Sequence, residues 1–324
     1  MISISIITFN ILASNFTNYL YGDYDKFENN EELSERYAGI YNTLKLFFDK
    51  KIDFICLQEV DLIFYSYLVK YMKYDYSIHY TELTKIKNNN SETDIKRTYG
   101  LLTLINNERF NILDEIKSNI TPNKFFNKKN SNPDRPYKKK KVLIINVELK
   151  SDDPKNHVNF SIANTHLTGN ESRDDIRLAE INKIIELQSN CKFKYNNIIV
   201  GDFNHTNFND VKKSISIYNY NMIDDYFNKD DFKTSFHRFN IKDWKNKKKE
   251  MYEESEKYKT IDYILYGDTI EPITDRFYAL PNLNTGIFGQ NIRLPYQNTK
   301  KSNNNSKNNW YSDHALIYQE FNVR

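Results

Sequence analysis

The sequence predicts an α/β fold of two packed sheets with helices outside. Three observations carry this. Short Ile- and Val-rich runs alternate with helix-spaced segments along the whole chain. No internal repeat or clear linker divides the 324 residues. Several of the apolar runs also carry a carboxylate, amide or imidazole at one end, as strands do when they lead to a functional edge.

The elements follow in order. Ile2 to Asn10, "ISISIITFN", reads as a buried strand. Leu33, Tyr37, Ile40, Tyr41, Leu44 and Phe48 recur at helical spacing, with acids early and lysines late. "IDFICLQEV" (Ile52 to Val60) is a second buried strand, and "LIFYSYLVKYMK" a short helix. Lys85 to Arg97 has no apolar period and reads as a loop. "YGLLTLIN" and "KVLIINVEL" (Lys141 to Leu149) are strands joined through the basic "KKNSNPDRPYKKKK". Val158 to Leu167 is a strand. Ile176, Ala179, Ile184 and Leu187 then mark a helix with Asp174 and Asp175 in its first turn. "NIIVGDFN" is a strand, "DVKKSISIYNY" a helix, and "TIDYILYG" (Thr260 to Gly267) a strand. "SDHALIYQEF" (Ser312 to Phe321) is the last strand. The expectation is one domain over residues 1–324, with flexible insertions near 85–97, 243–258 and 298–309.

Bulk properties narrow the class. Hydrophobic content is 39%, aromatic content 15% and mean hydropathy −0.74, which describes a soluble globular chain. Net charge is +3 and pI near 8.4, below the value of roughly 9 common for dedicated nucleic-acid-binding domains, so any such contact rests on local patches. Codon bias in an A+T-rich genome would also produce the Lys and Asn richness. Cys56 and Cys191 share no metal-like spacing and read as buried thiols in a reducing compartment. The start lacks a basic n-region, and no apolar run approaches the roughly 20 residues that span a bilayer. The expected setting is intracellular, in cytoplasm or nucleus, with no membrane partner.

The strand ends supply the chemistry. "IITFN" ends in Asn10, "FICLQE" in Glu59, "SIANTH" in His166 and "IIVGDFN" in Asp202 and Asn204. "TIDYIL" carries Asp262 at its start, and "SDHALIYQ" carries Asp313 and His314. Singly, each has a plainer reading: a Gly-Asp turn, a surface carboxylate, a satisfied core histidine. Jointly, on one rim, they suit metal-assisted hydrolysis of a phosphate ester. Glu59, with Asn10 or Asp313, offers hard oxygen ligands for Mg²⁺ or Mn²⁺, without the Cys/His pattern of zinc. Asp202 can orient or deprotonate a water. Asn204 and His166 can donate to phosphate oxygens as charge builds. Asp262 can fix the tautomer of His314, which then meets the phosphate or the nucleophile.

In this order "TFNIL", "CLQEV", "NTHL", "GDFN", "TIDYIL" and "SDH" resemble the endonuclease/exonuclease/phosphatase superfamily, over the span Asn10 to His314. The resemblance implies a four-layer α/β sandwich, two packed mixed β-sheets flanked by helices, and a Mg²⁺-dependent phosphoesterase. It implies Asn10 and Glu59 at the metal with Asp313 near it, His166 and Asn204 on the phosphate, and Asp202 positioning water. Asp262 is implied to pair with His314.

The substrate is less legible. "GDFNHT" and "TIDYIL" depart from the Gly-Asp-Leu-Asn-Tyr-Arg and Trp-Thr-Asp-Arg motifs of the inositol-phosphatase branch. "TFNILA", "ICLQEVD" and the helix with Arg36 and Tyr37 look like deadenylases, while "TSFHRF" looks like general nucleases. Phe236 and Arg238, just before a catalytic strand, are candidates to stack a base and hold its backbone; Lys138 to Lys141 form a basic patch. The expectation is a monomer acting on RNA or DNA as a phosphodiesterase, in the manner of a deadenylase-like 3′-exonuclease among the options. The alternative is a phosphatase or phosphodiesterase for a small phosphorylated molecule or lipid headgroup.

Overall fold

The computed structural model describes residues 2–14, 30–84, 98–125, 139–151, 157–169, 173–190, 195–205, 207–223, 235–236, 239–243, 248–251, 258–259, 261–280, 312, 314 and 316–323. In chain order the strands are β1 (Ser3–Asn10), β2 (Phe54–Asp61), β3 (Tyr76–Thr84), β4 (Tyr99–Asn106), β5 (Phe110–Asn119), β6 (Lys141–Leu149), β7 (Asn159–His166) and β8 (Asn196–Asp202). They continue with β9 (Tyr220–Met222), β10 (Ser235–Phe236), β11 (Phe239–Asp243), β12 (Lys248–Met251), β13 (Tyr258–Lys259), β14 (Asp262–Gly267), β15 (Ile270–Leu280) and β16 (Leu316–Val323). The described helices are α1 (Asn30–Asp49), α2 (Leu62–Tyr71), α3 (Asp174–Ser189) and α4 (Phe208–Ser216).

Two six-stranded sheets form, in the orders β15-β16-β1-β2-β4-β3 and β5-β6-β7-β8-β14-β9. Each contains one parallel pair, β1 with β2 and β7 with β8, among antiparallel neighbours, so both sheets are mixed. Side chains alternate across each strand with period two, and these strands are apolar on both faces. Ile6, Phe54, Cys56, Ile162, Ile198 and Val200 point between the sheets. Their neighbours Ile7, Ile55 and Leu57 point outward to α1 and α2. Ala163 and Ile199 point outward to α3 and α4. The layers are therefore helix, sheet, sheet, helix, as the resemblance implies. Completely burying a side chain such as Phe54 or Phe160 contributes about 1.5–3 kcal/mol.

The helices obey local rules. α1 starts with Glu31 and Glu32, which complement its positive N-terminal dipole, and buries Leu33, Tyr37, Ile40, Leu44, Phe47 and Phe48. It ends at Asp49, so Lys50 and Lys51 fall just outside it. Asp61 caps α2 by accepting from the Ile63 and Phe64 N–H groups at 3.1 and 2.8 Å. The buried stripe of α3 is Ile176, Arg177, Glu180, Ile181, Ile184, Ile185 and Gln188, so Ala179 and Leu187 lie at its margins.

Part of the charged run expected as an insertion is strand: β12 pairs antiparallel with β11. The segments 85–97 and 298–309 lie outside the described residues, as does Cys191. Cys56 is a buried free thiol, pushed up to about 12 by burial. Among the described residues no helix is long and apolar enough to cross a membrane.

Candidate active site

The two parallel pairs carry the site. The pairing of β1 with β2 ends with Asn10 opposite Gln58, and Glu59 lies one residue on. β7 and β8 end together, with His166 opposite Asp202. The antiparallel β14 places Asp262 opposite Asp202. β16 flanks β1, with Thr8 opposite Ile317, so His314 arrives just beyond Asn10. The strand ends of both sheets thus meet at one rim.

The contacts cross from sheet to sheet. Asn10 Nδ2 donates to Asp202 Oδ2 at 3.0 Å and lies 3.4 Å from His314 Nε2. His166 Nε2 and His314 Nε2 each lie 3.6 Å from Asp202 Oδ2. Asp262 meets His314 Nδ1 with both carboxylate oxygens, at 2.9 and 3.1 Å, as an acceptor faces a donor. Ser312 Oγ donates to the Asn10 carbonyl at 2.6 Å and accepts from the His314 N–H at 3.1 Å, fastening the histidine to β1. Asn10, Asp202, Asp262, His166 and His314 are all nearly inaccessible, while Asn204 is half-buried.

Backbone conformation aims these groups. Gly201 has φ +142°, and a Cβ there would lie 1.9 Å from the Thr165 carbonyl oxygen. Only glycine lets β8 run this close to β7 before turning Asp202 onto the rim. Asn204 has φ +51°; its N–H donates to Asp202 Oδ1 at 2.8 Å and its Nδ2 to the Leu167 carbonyl at 3.2 Å. Glu59 has φ +56° and lies where β2 slips against β4: Leu57 pairs with Leu102 and Val60 with Gly100, so Gln58 and Glu59 together face Leu101. Such a bulge re-aims side chains.

The electrostatics match the chemistry. Burial raises the Asp202 carboxyl to about 7; the His314 imidazole opposes this, and Asp262 and Glu59 reinforce it. Burial, then the Lys140 and His314 charges, hold His166 well below the ordinary histidine value, so it is neutral at pH 7. Its Nδ1 is buried without a hydrogen-bond partner among the described residues and lies 3.8 Å from Glu59 Oε1. An orphaned ring nitrogen beside a carboxylate suits a site that receives a polar guest.

The donors fit a hard divalent cation. Glu59 Oε2 accepts from the Ala13 N–H at 3.1 Å, which fixes the carboxylate at the rim. Ligand atoms of Asp202, Asp262 and His314 lie within 4.8 Å of one another, a further group with metal-like spacing. We read the last two as a hydrogen-bonded pair, because Asp262 approaches the Nδ1 that would carry a proton.

Several residues of the site carry no strand-end signature. Lys140 precedes β6 and faces the Glu180, Asp202 and Glu59 carboxylates; its desolvated ammonium is held below the ordinary lysine value. Glu180, completely buried, accepts from Thr168 N–H (3.0 Å), Thr168 Oγ1 (2.8 Å) and Thr121 Oγ1 (2.6 Å). It thereby holds the turn whose Leu167 carbonyl receives Asn204. Arg36 donates to the Ile11 and Leu12 carbonyls at 3.0 and 2.8 Å, and Asp61 accepts from Ser14 N–H at 3.1 Å and from the Tyr37 hydroxyl. These bonds hold the turn that presents Ala13 to Glu59. Charged residues on an apolar helix stripe, Arg177 and Glu180, were the available signal for α3.

Asp313 and Arg238 lie outside the described residues. Phe236 is on β10 opposite Tyr258, and its side chain also lies outside them.

Two mixed six-stranded sheets between helix layers, with these strand ends on one rim, have the fold of the endonuclease/exonuclease/phosphatase superfamily. A Bacteroides vulgatus endonuclease/exonuclease/phosphatase matches over 100% of both chains, with TM-score 0.63 and 14% identity. The human Nocturnin catalytic domain with bound sulfate matches with TM-score 0.65 and 18% identity, covering 99% of this chain and 95% of that one. ANGEL2, a 2′,3′-cyclic phosphatase in complex with adenosine-2′,3′-vanadate, gives TM-score 0.63 and 18% identity over 99% and 96%. D. rerio TDP2 with a single-strand DNA product gives 0.60 and 14% over 99% of each chain. No protein-family model matches the chain, and no curated protein is similar to it in sequence.

Proposed function

We propose that this protein is a divalent-metal-dependent phosphodiesterase that hydrolyses nucleic acid. The observation that carries this is the convergence on Asp202 Oδ2 of Asn10, His166 and His314, drawn from both sheets. A carboxylate buried among hydrogen-bond donors, with a value near 7, is suited to accept a proton from an attacking water at neutral pH. Asn10 and the Asn204 N–H fix its orientation. Neutral His166 offers a ring nitrogen to a phosphoryl oxygen, and Asn204 keeps a second Nδ2 hydrogen for another. Asp262 keeps the His314 proton on Nδ1 and stabilises the imidazolium if Nε2 gains one.

Glu59, with Asn10 and Asp313, would hold Mg²⁺ or Mn²⁺, whose charge polarises the phosphoryl group and offsets the developing negative charge. Lys140 adds a cation on the same rim. Nucleic acid is favoured by this cation, by the single-strand DNA product held by TDP2, and by the adenosine ligand of ANGEL2. Phe236 and Arg238 are assigned to base and backbone contact, one chain supplies the whole site, and an intracellular setting suits such a substrate.

The test is an assay of folded protein with labelled single-stranded RNA, single-stranded DNA and abasic duplex, with Mg²⁺, Mn²⁺ or EDTA. Cleavage of one of them that EDTA abolishes is expected. Intact nucleic acid alongside phosphate release from small phosphoesters would move the assignment to a phosphatase. No hydrolysis of either kind would remove it.

A further inference from the structure

Glu59 and His166 belong to different sheets, and their spacing has to be set by something that bridges the sheets. One buried amide pair does so. Gln58 Nε2 donates to Asn164 Oδ1 at 2.8 Å. Asn164 Nδ2 lies within hydrogen-bond reach of the Leu57 carbonyl (3.1 Å), the Leu102 carbonyl (3.0 Å) and Thr103 Oγ1 (3.3 Å). Gln58 also shares its amide with Thr8 Oγ1, at 3.0 and 3.4 Å. All four side chains are inaccessible.

The acceptors are not arbitrary. Leu57 and Leu102 are the last regular pair before the β2 bulge, and Glu59 is the re-aimed residue of that bulge. Asn164 therefore reaches across from the second sheet into the irregular stretch behind Glu59. It stands on β7 two residues before His166, on the same side of the strand. An apolar residue at 164 would fill the space but leave two carbonyls and the Gln58 amide without these bonds in a dry interior. Each such group costs about 1–3 kcal/mol, and the bulge would relax to recover them.

We propose that Asn164 is a positioning residue: it plugs the β2 bulge behind Glu59 and so sets the spacing between the metal-side carboxylate and the phosphate-side His166. This rests on the reading of the rim as a metal and phosphate site. It touches neither ligand, so its signature is coupling between them rather than binding of either one.

The experiment is calorimetric titration of the full chain with Mn²⁺ alone, with inorganic phosphate alone, and with phosphate after Mn²⁺. In the wild type Mn²⁺ is expected to tighten phosphate binding by about 5–150-fold, the usual range for linked sites. Asn164→Ala is expected to bring that factor to within about twofold of one, with Mn²⁺ affinity alone changed less than about threefold, whereas Gln58→Met, which leaves Asn164 bonded to Leu57, Leu102 and Thr103, is expected to keep most of it. The swap Gln58→Asn with Asn164→Gln, which preserves the summed side-chain length, is expected to restore part of it. A residue that merely fills the core would instead lower the unfolding midpoint and both single-ligand affinities together. If Asn164→Ala does not fold, Asn164→Leu, which is of similar size and lacks the amide donors, carries the measurement. An unchanged factor in folded Asn164→Ala or Asn164→Leu overturns the proposal, as does a wild type that binds the two ligands independently. Turnover measured in parallel keeps the readings apart: a wild type that couples the ligands but hydrolyses nothing removes the proposed function and leaves this inference standing.

Discussion

Asp202→Asn is expected to destroy activity and yet stabilise the fold at high pH. The Asp202 carboxyl is raised from 3.8 to about 7, chiefly by burial. Between those values the folded protein holds a proton that the unfolded chain has released. Stability from this group therefore falls as pH rises through the window and is lowest above about 7. With 1.36 kcal/mol per unit, the loss between pH 5 and pH 8 is about 2–3 kcal/mol, and asparagine does not suffer it. The amide can still accept from the Asn204 N–H but presents a donor to Asn10 Nδ2, which costs about 1 kcal/mol at every pH. Urea unfolding in EDTA at both pH values measures the difference between variant and wild type. That difference should move in favour of the variant by about 2 kcal/mol from pH 5 to pH 8. Turnover should fall about 100- to 10,000-fold. A variant whose relative stability is the same at both pH values would refute the buried, proton-holding carboxylate and the base assigned to it.

Other variants test other parts. Glu59→Gln should weaken Mn²⁺ binding by calorimetry before it affects folding, and excess Mn²⁺ should partly restore turnover; full metal affinity would contradict the ligand role. Asp262→Asn combined with His314→Ala should cost about as much activity as either alone, since the two act through one hydrogen-bonded unit. Additive losses in kcat/KM would dissolve that unit. Gly201→Ala should destabilise by at least about 3 kcal/mol in urea, because the new methyl meets the Thr165 carbonyl at a φ that side chains avoid. A stable Gly201→Ala would mean that β8 leaves the sheet differently.

The inner strands were legible because they are apolar on both faces: Ile6 and Ile7, or Ile198 and Ile199, can only be explained by a core on each side. Their polar ends were legible because a buried strand has no packing reason to finish in Asn10 or Asp202. β3 and β5 gave no such signal. Both are outermost strands, and nine of ten β5 residues are at least partly exposed, so its sequence "FNILDEIKSN" has nothing to alternate against. The bulge at Glu59 was hidden as well, since it lies in the register of β2 against β4, which Gln58 and Glu59 do not reveal by themselves. Lys140 looked like one of a run of surface lysines; only the approach of Glu59, Asp202 and Glu180 in space distinguishes it.

The pairing of β1 with β16 has a consequence for how the protein is made. Asn10 waits for a histidine 304 positions away, and Ser3 for Asn322. At translation speeds of about 5–20 residues per second, that delay is roughly 15–60 s. A nascent chain stalled between Asp202 and His314 holds Glu59, His166 and Asp202 but lacks β16, the strand that flanks β1 beside Asn10. Synthesis itself thus acts as a timer, and a prematurely terminated product would leave the ribosome disarmed.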